Sequence, residues 1–90
     1  MSRIVVVTGA SGGIGRATVE EFARRGDHVA LIARGQTGLD AAASRCQELG
    51  AKTLTVPVDV SDAQAVANAV DSIESELGPI DVWVNVAFTS

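Results

Sequence analysis

A doubly wound parallel α/β sheet is the fold this sequence predicts. The prediction rests on short apolar, β-branched runs that recur along the chain, amphipathic helical periods between them, and a glycine-rich turn where the first run meets the first helix. The order it implies is β-α-β-α-β-α-β.

Arg3 to Val7 is apolar and β-branched with no polar alternation, which suits a central strand covered on both faces. From Ile14 the period lengthens. Thr18, Val19, Phe22 and Ala23 share one helical face, Arg16, Glu20 and Arg24 follow at i, i+4 spacing on another, and Gly26 ends the helix. Val29 to Ala33 reads as a second buried strand. Leu39, Ala42, Ala43, Cys46 and Leu49 then form the inner stripe of a second helix that stops at Gly50. Thr53 to Val58 repeats the strand pattern. Ser61 with Gln64 three positions later predicts a capping box, and Val66, Val70, Ile73 and Leu77 carry a third helix up to Gly78-Pro79. Asp81 to Ala87 is the fourth strand, and His28 is expected to be exposed where the second begins. Right-handed crossovers would then order the strands 3-2-1-4, a Rossmann-type half sheet.

At 90 residues the chain is short for this fold, so a sheet truncated after its fourth strand is expected. An apolar edge at Val82 to Val86 should then leave the segment marginally stable or prone to self-association. The composition, 47% hydrophobic and 20% charged, is that of a folded globular chain rather than a disordered one. A formal charge of -4 excludes general attraction to nucleic acid or anionic membranes, so any phosphate must be held locally. The single cysteine, Cys46, excludes an internal disulfide and a multi-cysteine metal site, and reads as core filler in a reducing compartment. No apolar run is long enough for a leader or a membrane span, which points to a cytoplasmic protein.

The chemistry is concentrated in Thr8-Gly9-Ala10-Ser11-Gly12-Gly13-Ile14-Gly15. Gly9 permits a tight turn out of the strand, Gly13 has no side chain to hold a pyrophosphate off the backbone, and Gly15 allows close helix packing. The helix start then offers free amides and its positive dipole end to phosphates. Tight packing alone can also demand such a turn. A nucleoside-triphosphatase loop is disfavoured, because Arg16 follows Gly15 and the loop contains no lysine.

These residues resemble the short-chain dehydrogenase/reductase family, whose T-G-x-x-x-G-I-G loop is matched by Thr8, Gly9, Gly13, Ile14 and Gly15. Asp59-Val60, Gly78-Pro79-Ile80-Asp81 and Asn85-Val86-Ala87 agree in order and spacing, so the resemblance runs over the whole chain. It implies that residues 1–90 form the dinucleotide-binding half of the domain. Asp59 would accept from the adenine amino group, Val60 would meet the ring through its backbone, and Asn85 would tie the fourth strand to its neighbours with its backbone near the ribose. A carboxylate at the carboxyl edge of a parallel strand is suitably placed to select an exocyclic amine, although Asp59 could instead simply start the turn into the third helix. The fourth motif departs from N-N-A-G, with Val86 and Phe88 in place of its second asparagine and its glycine; no role is assigned to Phe88.

An NAD-preferring site commonly has an acid after the second strand, but here Ala33 is followed by Arg34. Arg34 can pair with a 2′-phosphate and Ser11 can add a hydroxyl, which favours NADP over NAD. Arg16 has an ordinary surface partner in Glu20. The coenzyme-binding candidates are therefore Gly9, Ser11, Gly12, Gly13, Ile14, Gly15, Arg34, Asp59, Val60, Asn85 and Ala87.

The family's proton transfer uses a tyrosine, a lysine and a serine. This sequence has no tyrosine, and its one lysine, Lys52, opens the third strand, so no catalytic residue is assigned and the segment alone is expected to be inactive. The resemblance implies an oxidoreductase, a homo-oligomer acting on a small molecule, that moves hydride between nicotinamide and a carbonyl or alcohol. The alternative is a non-catalytic dinucleotide-binding module or sensor. Sugar-nucleotide epimerases of the extended branch are disfavoured by the glycine spacing. Substrate identity is not readable from these residues.

Overall fold

A computed structural model of the chain describes residues 2–86. Strand β1 (Ile4–Thr8) leads through the glycine turn into helix α1 (Gly13–Arg24). Strand β2 (His28–Ala33), helix α2 (Gln36–Glu48), strand β3 (Thr53–Pro57), helix α3 (Ala63–Glu76) and strand β4 (Val82–Asn85) follow in that order. The strands are parallel and lie in the order β3-β2-β1-β4, as the sequence pattern predicts. Among the described residues no helix is long and apolar enough to cross a membrane.

Both faces of β1 and β2 are buried, which explains their unbroken apolar runs. Alternate residues go to opposite layers. Val5, Val7, Val29 and Leu31 pack against Val19 and Ala23 of α1 and Leu39, Ala42 and Cys46 of α2. Ile4, Val6, Ala30 and Ile32 pack on the other side with Ile73 of α3. Helices on both faces make the sheet doubly wound. Cys46 is fully buried, and burial pushes its thiol up to about 11, consistent with packing rather than reactivity. Ala69 and Ile73 are the fully buried positions of α3, whereas Val66, Val70 and Leu77 are half-buried.

Several boundaries differ from the sequence reading. The first strand runs one residue further, to Thr8, because Thr8 stays in register with both Ile32 and Asn85. Strand β3 stops at Pro57 and β4 spans Val82–Asn85; Ala87 and Phe88 lie outside the described residues. The predicted capping box does not form. Asp62 caps α3 by accepting from the Ala65 amide at 3.1 Å, while Gln64 donates along the helix to Asn68. Ser61 instead donates its amide and its hydroxyl to Asp59, a charged acceptor, and the cap oxygen is supplied by Asp62. His28 is half-buried rather than exposed, and its Nδ1 accepts from the Lys52 amide at 3.0 Å.

At the amino end of the sheet, Asp27 is only 4% exposed yet charged. Arg3 answers it with its backbone amide and with two guanidinium nitrogens, at 3.2 and 2.9 Å. Asp81 accepts from the Ile4 amide at 2.8 Å, and the Ile4 carbonyl accepts from the Asp81 amide at the same distance, which stitches the entry to β4 onto β1. These contacts fix the lower edge of the sheet and leave the opposite edge free for a site.

Candidate functional site: a cleft at the carboxyl edge of the sheet

A cleft of about 660 Å³ opens where all four strands end. Thr8 ends β1 and Gly9 and Ser11 follow it, Ala33 ends β2 before Arg34 and Gly35, Val58 to Ser61 follow β3, and Asn85 ends β4 before Val86. Parallel α/β sheets bind ligands along this edge because the chain reverses its winding there, here between β1 and β4. Of the residues predicted to bind coenzyme, Gly9, Ser11, Arg34, Asp59, Val60 and Asn85 line this one space.

Gly12, Gly13, Ile14 and Gly15 do not line the cleft; they form the start of α1 beside it. Gly9 has φ 69°, a left-handed turn that glycine adopts without strain, and its carbonyl accepts from the Gly12 amide at 3.4 Å. Gly12 is the helix N-cap and offers no side chain to the amides of the first turn, which contains no acidic residue either. Those donors remain without a side-chain cap, so an anion can take them. The two nearby glycines answer to different constraints. A Cβ on Gly15 would drive into the Gly9 carbonyl, so its bareness serves packing, whereas a Cβ on Gly13 would meet no protein atom within 4 Å. The backbone at Gly13 is thus open to approach, as a bound diphosphate would require.

Ile14 and Val60 are the exposed large hydrophobic side chains of the described residues, at 75% and 53% exposure. Both stand among the predicted coenzyme contacts. Apolar groups held open beside a polar cleft suit the flat faces of a bound heterocycle.

Arg34 is exposed and forms no ion pair with any described residue, in contrast to Arg16, which pairs with Glu20 at 3.6 Å as its spacing predicts. Asp59 is ordered by Ser61, whose amide and hydroxyl both donate to its Oδ1, at 2.9 and 2.8 Å. Those two bonds, helped by the charge of Arg34, hold the Asp59 carboxyl below its usual range, so it faces the cleft ionised. The predicted turn-starting role of Asp59 is therefore present, and it occupies one oxygen only.

Asn85 Oδ1 accepts from the Thr8 hydroxyl at 3.1 Å and from Trp83 Nε1 at 2.9 Å. The indole nitrogen can only donate, which fixes the amide with its oxygen toward β1. Asn85 thus ties β4 to β1. Three supporting residues escaped the sequence reading: Ser61, which the capping pattern claimed for the helix; Trp83, which lay unremarked within the apolar edge of the fourth strand; and Gly38. On α2, Gly38 comes so near the loop that a Cβ there would lie 2.7 Å from the Ser11 Cβ. No local spacing signals that approach, and the predicted stripe of the second helix begins only at Leu39.

Residues 3–89 match the short chain dehydrogenase family. A short chain dehydrogenase of Pseudocercospora fijiensis is 41% identical over 85 residues, which cover 94% of this chain and 28% of that protein. L-sorbose reductase from Gluconobacter frateurii, solved with NADPH and L-sorbose, superposes with a TM-score of 0.90 at 40% identity, over 98% of this chain and 34% of that one. A xylitol dehydrogenase solved with bound NAD+ superposes at 0.88 with 33% identity, over 90% of this chain and 31% of that one. The chain therefore spans about a third or less of the length of the relatives it resembles. With the loop, the cleft and the strand order all agreeing with that match across nearly every residue, the chain belongs to the short-chain dehydrogenase family.

Proposed function

We propose that residues 1–90 are the dinucleotide-binding half of an oxidoreductase that moves hydride between nicotinamide and a carbonyl or alcohol, with NADP preferred to NAD. One observation carries the reading: a cleft lined by Gly9, Ser11, Arg34, Asp59, Val60 and Asn85 opens beside a helix start whose N-cap has no side chain. The diphosphate rests on the first-turn amides over Gly13, between Gly12 and Gly15. Asp59 accepts from the adenine amine, Val60 and Ile14 meet flat rings, and the Asn85 backbone approaches a ribose. The nicotinamide of the bound coenzyme supplies or receives the hydride.

Arg34 supports NADP. It pairs with no described residue at the carboxyl end of β2, where an acid would otherwise hold the ribose hydroxyls, and its planar fork suits a 2′-phosphate. Ser11 lines the same cleft and adds a hydroxyl donor. Proton transfer is not assigned to these residues, since the sequence has no tyrosine to serve as the family's acid and base. A small-molecule substrate and a homo-oligomeric assembly belong to the same proposal, on family grounds alone.

Calorimetric titration of the protein with NADPH and NADH tests the coenzyme, and Arg34→Asp tests the residue. The substitution should shift the NADPH-to-NADH affinity ratio toward NADH by about tenfold or more, the loss of a charge-assisted pair of about 1.5–3 kcal/mol. An unchanged ratio would remove Arg34 from the site.

A further inference from the structure

We propose that Ser61 is a positioning residue for adenine recognition, clamping one oxygen of the Asp59 carboxylate so that the other is presented to the adenine amine. This rests on the reading of Asp59 as the adenine acceptor and adds the group that orients it. Asp59 is exposed at the cleft wall, and an exposed carboxylate rotates freely unless something holds it. Ser61 holds it twice. Its amide donates to Oδ1 at 2.9 Å and its hydroxyl donates to the same Oδ1 at 2.8 Å, while no described residue donates to Oδ2.

Two donors on one oxygen fix both the carboxylate plane and its ionised state, since each bond favours the charged form. The free Oδ2 then carries unspent acceptor capacity. Ser61 itself lines the cleft, next to Val60, so the turn that brings Val60 to the ring also aims the carboxylate. The helix does not require this serine. Its cap is Asp62, which accepts from the Ala65 amide, so the hydroxyl of Ser61 is dedicated to Asp59.

Recognition of an amine by an oriented acceptor can be read with a ligand that lacks the amine. In the hypoxanthine analogue of NADP+, a carbonyl oxygen replaces the amino group at the same ring carbon and faces the carboxylate as a second acceptor. The analogue also carries a hydrogen on the adjacent ring nitrogen, so the ratio of NADP+ affinity to analogue affinity reports that whole ring edge, and the change in the ratio on substituting Asp59 or Ser61 reports the Asp59 contact. Loop, phosphate and ribose contacts are common to both ligands and cancel, as does any partial loss of fold, because both titrations sample the same folded molecules.

Ser61→Ala keeps the amide bond and loses the hydroxyl bond, and should lower that ratio about fivefold, the factor equivalent to one ordinary hydrogen bond of about 1 kcal/mol. Ser61→Thr keeps the hydroxyl and should restore the ratio, which a role limited to packing would not do. Asp59→Asn should lower the ratio at least as far as Ser61→Ala does. If Asp59→Asn lowers it while Ser61→Ala leaves it unchanged, or weakens both ligands equally, the clamp is overturned and the adenine contact stands. If Asp59→Asn leaves the ratio unchanged, the adenine contact itself is wrong and the clamp falls with it.

Discussion

Gly13 and Gly15 lie two positions apart on α1, and the structure separates their duties. Alanine at Gly15 must push the Gly9 carbonyl aside, an overpacking that should cost about 1–3 kcal/mol in denaturant melts. Alanine at Gly13 meets open space and replaces a poor helix former, so stability should hold or rise slightly. Coenzyme affinity of Gly13→Ala should nonetheless fall about tenfold or more, equivalent to about 1.4 kcal/mol, as titration would show. Stable protein with unchanged affinity would contradict the placement of a diphosphate over Gly13. The pattern of the loop was legible in the sequence, and so was the assignment of close packing to Gly15 and of a bare backbone to Gly13; the structure adds the packing partner, the Gly9 carbonyl. That partner depends on which atoms of the turn after β1 lie across from Gly15, and spacing carries no information about that.

At the scale of the element, α3 shows why local signals compete. Ser61 and Gln64 have the spacing of a capping box, yet the helix starts one residue later on Asp62 because the Asp59 carboxylate has already engaged Ser61. Asp62→Ala should therefore lower stability by about 1 kcal/mol, whereas Gln64→Ala should stay within about 0.5 kcal/mol of the parent. Equal losses from the two would restore the box. The strands were legible almost to the residue, because β1 and β2 are buried on both faces and hence uniformly apolar. Their ends were less so: Thr8 is polar but remains in the ladder, held in register with Ile32 and Asn85.

Across the whole molecule, two buried groups set the response to conditions. Asp27 is held below the usual carboxylate range first by its side-chain bond to Arg3, so its folded value is depressed. The stability it contributes is present above the unfolded carboxylate value of about 3.9 and is lost as pH falls through the lower, folded one. Thermal midpoints should therefore drop below about pH 4, and Asp27→Asn should flatten that acid limb while lowering stability at neutral pH. Cys46, buried and raised to about 11, should resist thiol reagents in the folded protein and react only on unfolding, a direct measure of global opening. In the shared core, Leu31→Ala and Ile73→Ala should each cost about 2–5 kcal/mol, since both side chains are fully buried, on opposite faces of the sheet.

The sequence by itself determined the alternation of strands and helices, the parallel sheet with its order β3-β2-β1-β4, and the glycine loop at its edge. It could do so because hydrophobic period and backbone freedom are local properties, written in neighbouring residues. Tertiary structure alone decided how Ser61 orders Asp59, how Trp83 and Thr8 fix the amide of Asn85, and how near Gly38 comes to Ser11. The contacts of Asn85 with Thr8 and of Gly38 with Ser11 join residues far apart in the chain. Those of Ser61 with Asp59 and of Trp83 with Asn85 span only two residues, but they depend on which of several possible partners the folded backbone brings within hydrogen-bonding reach, and no pattern of residue types encodes that choice.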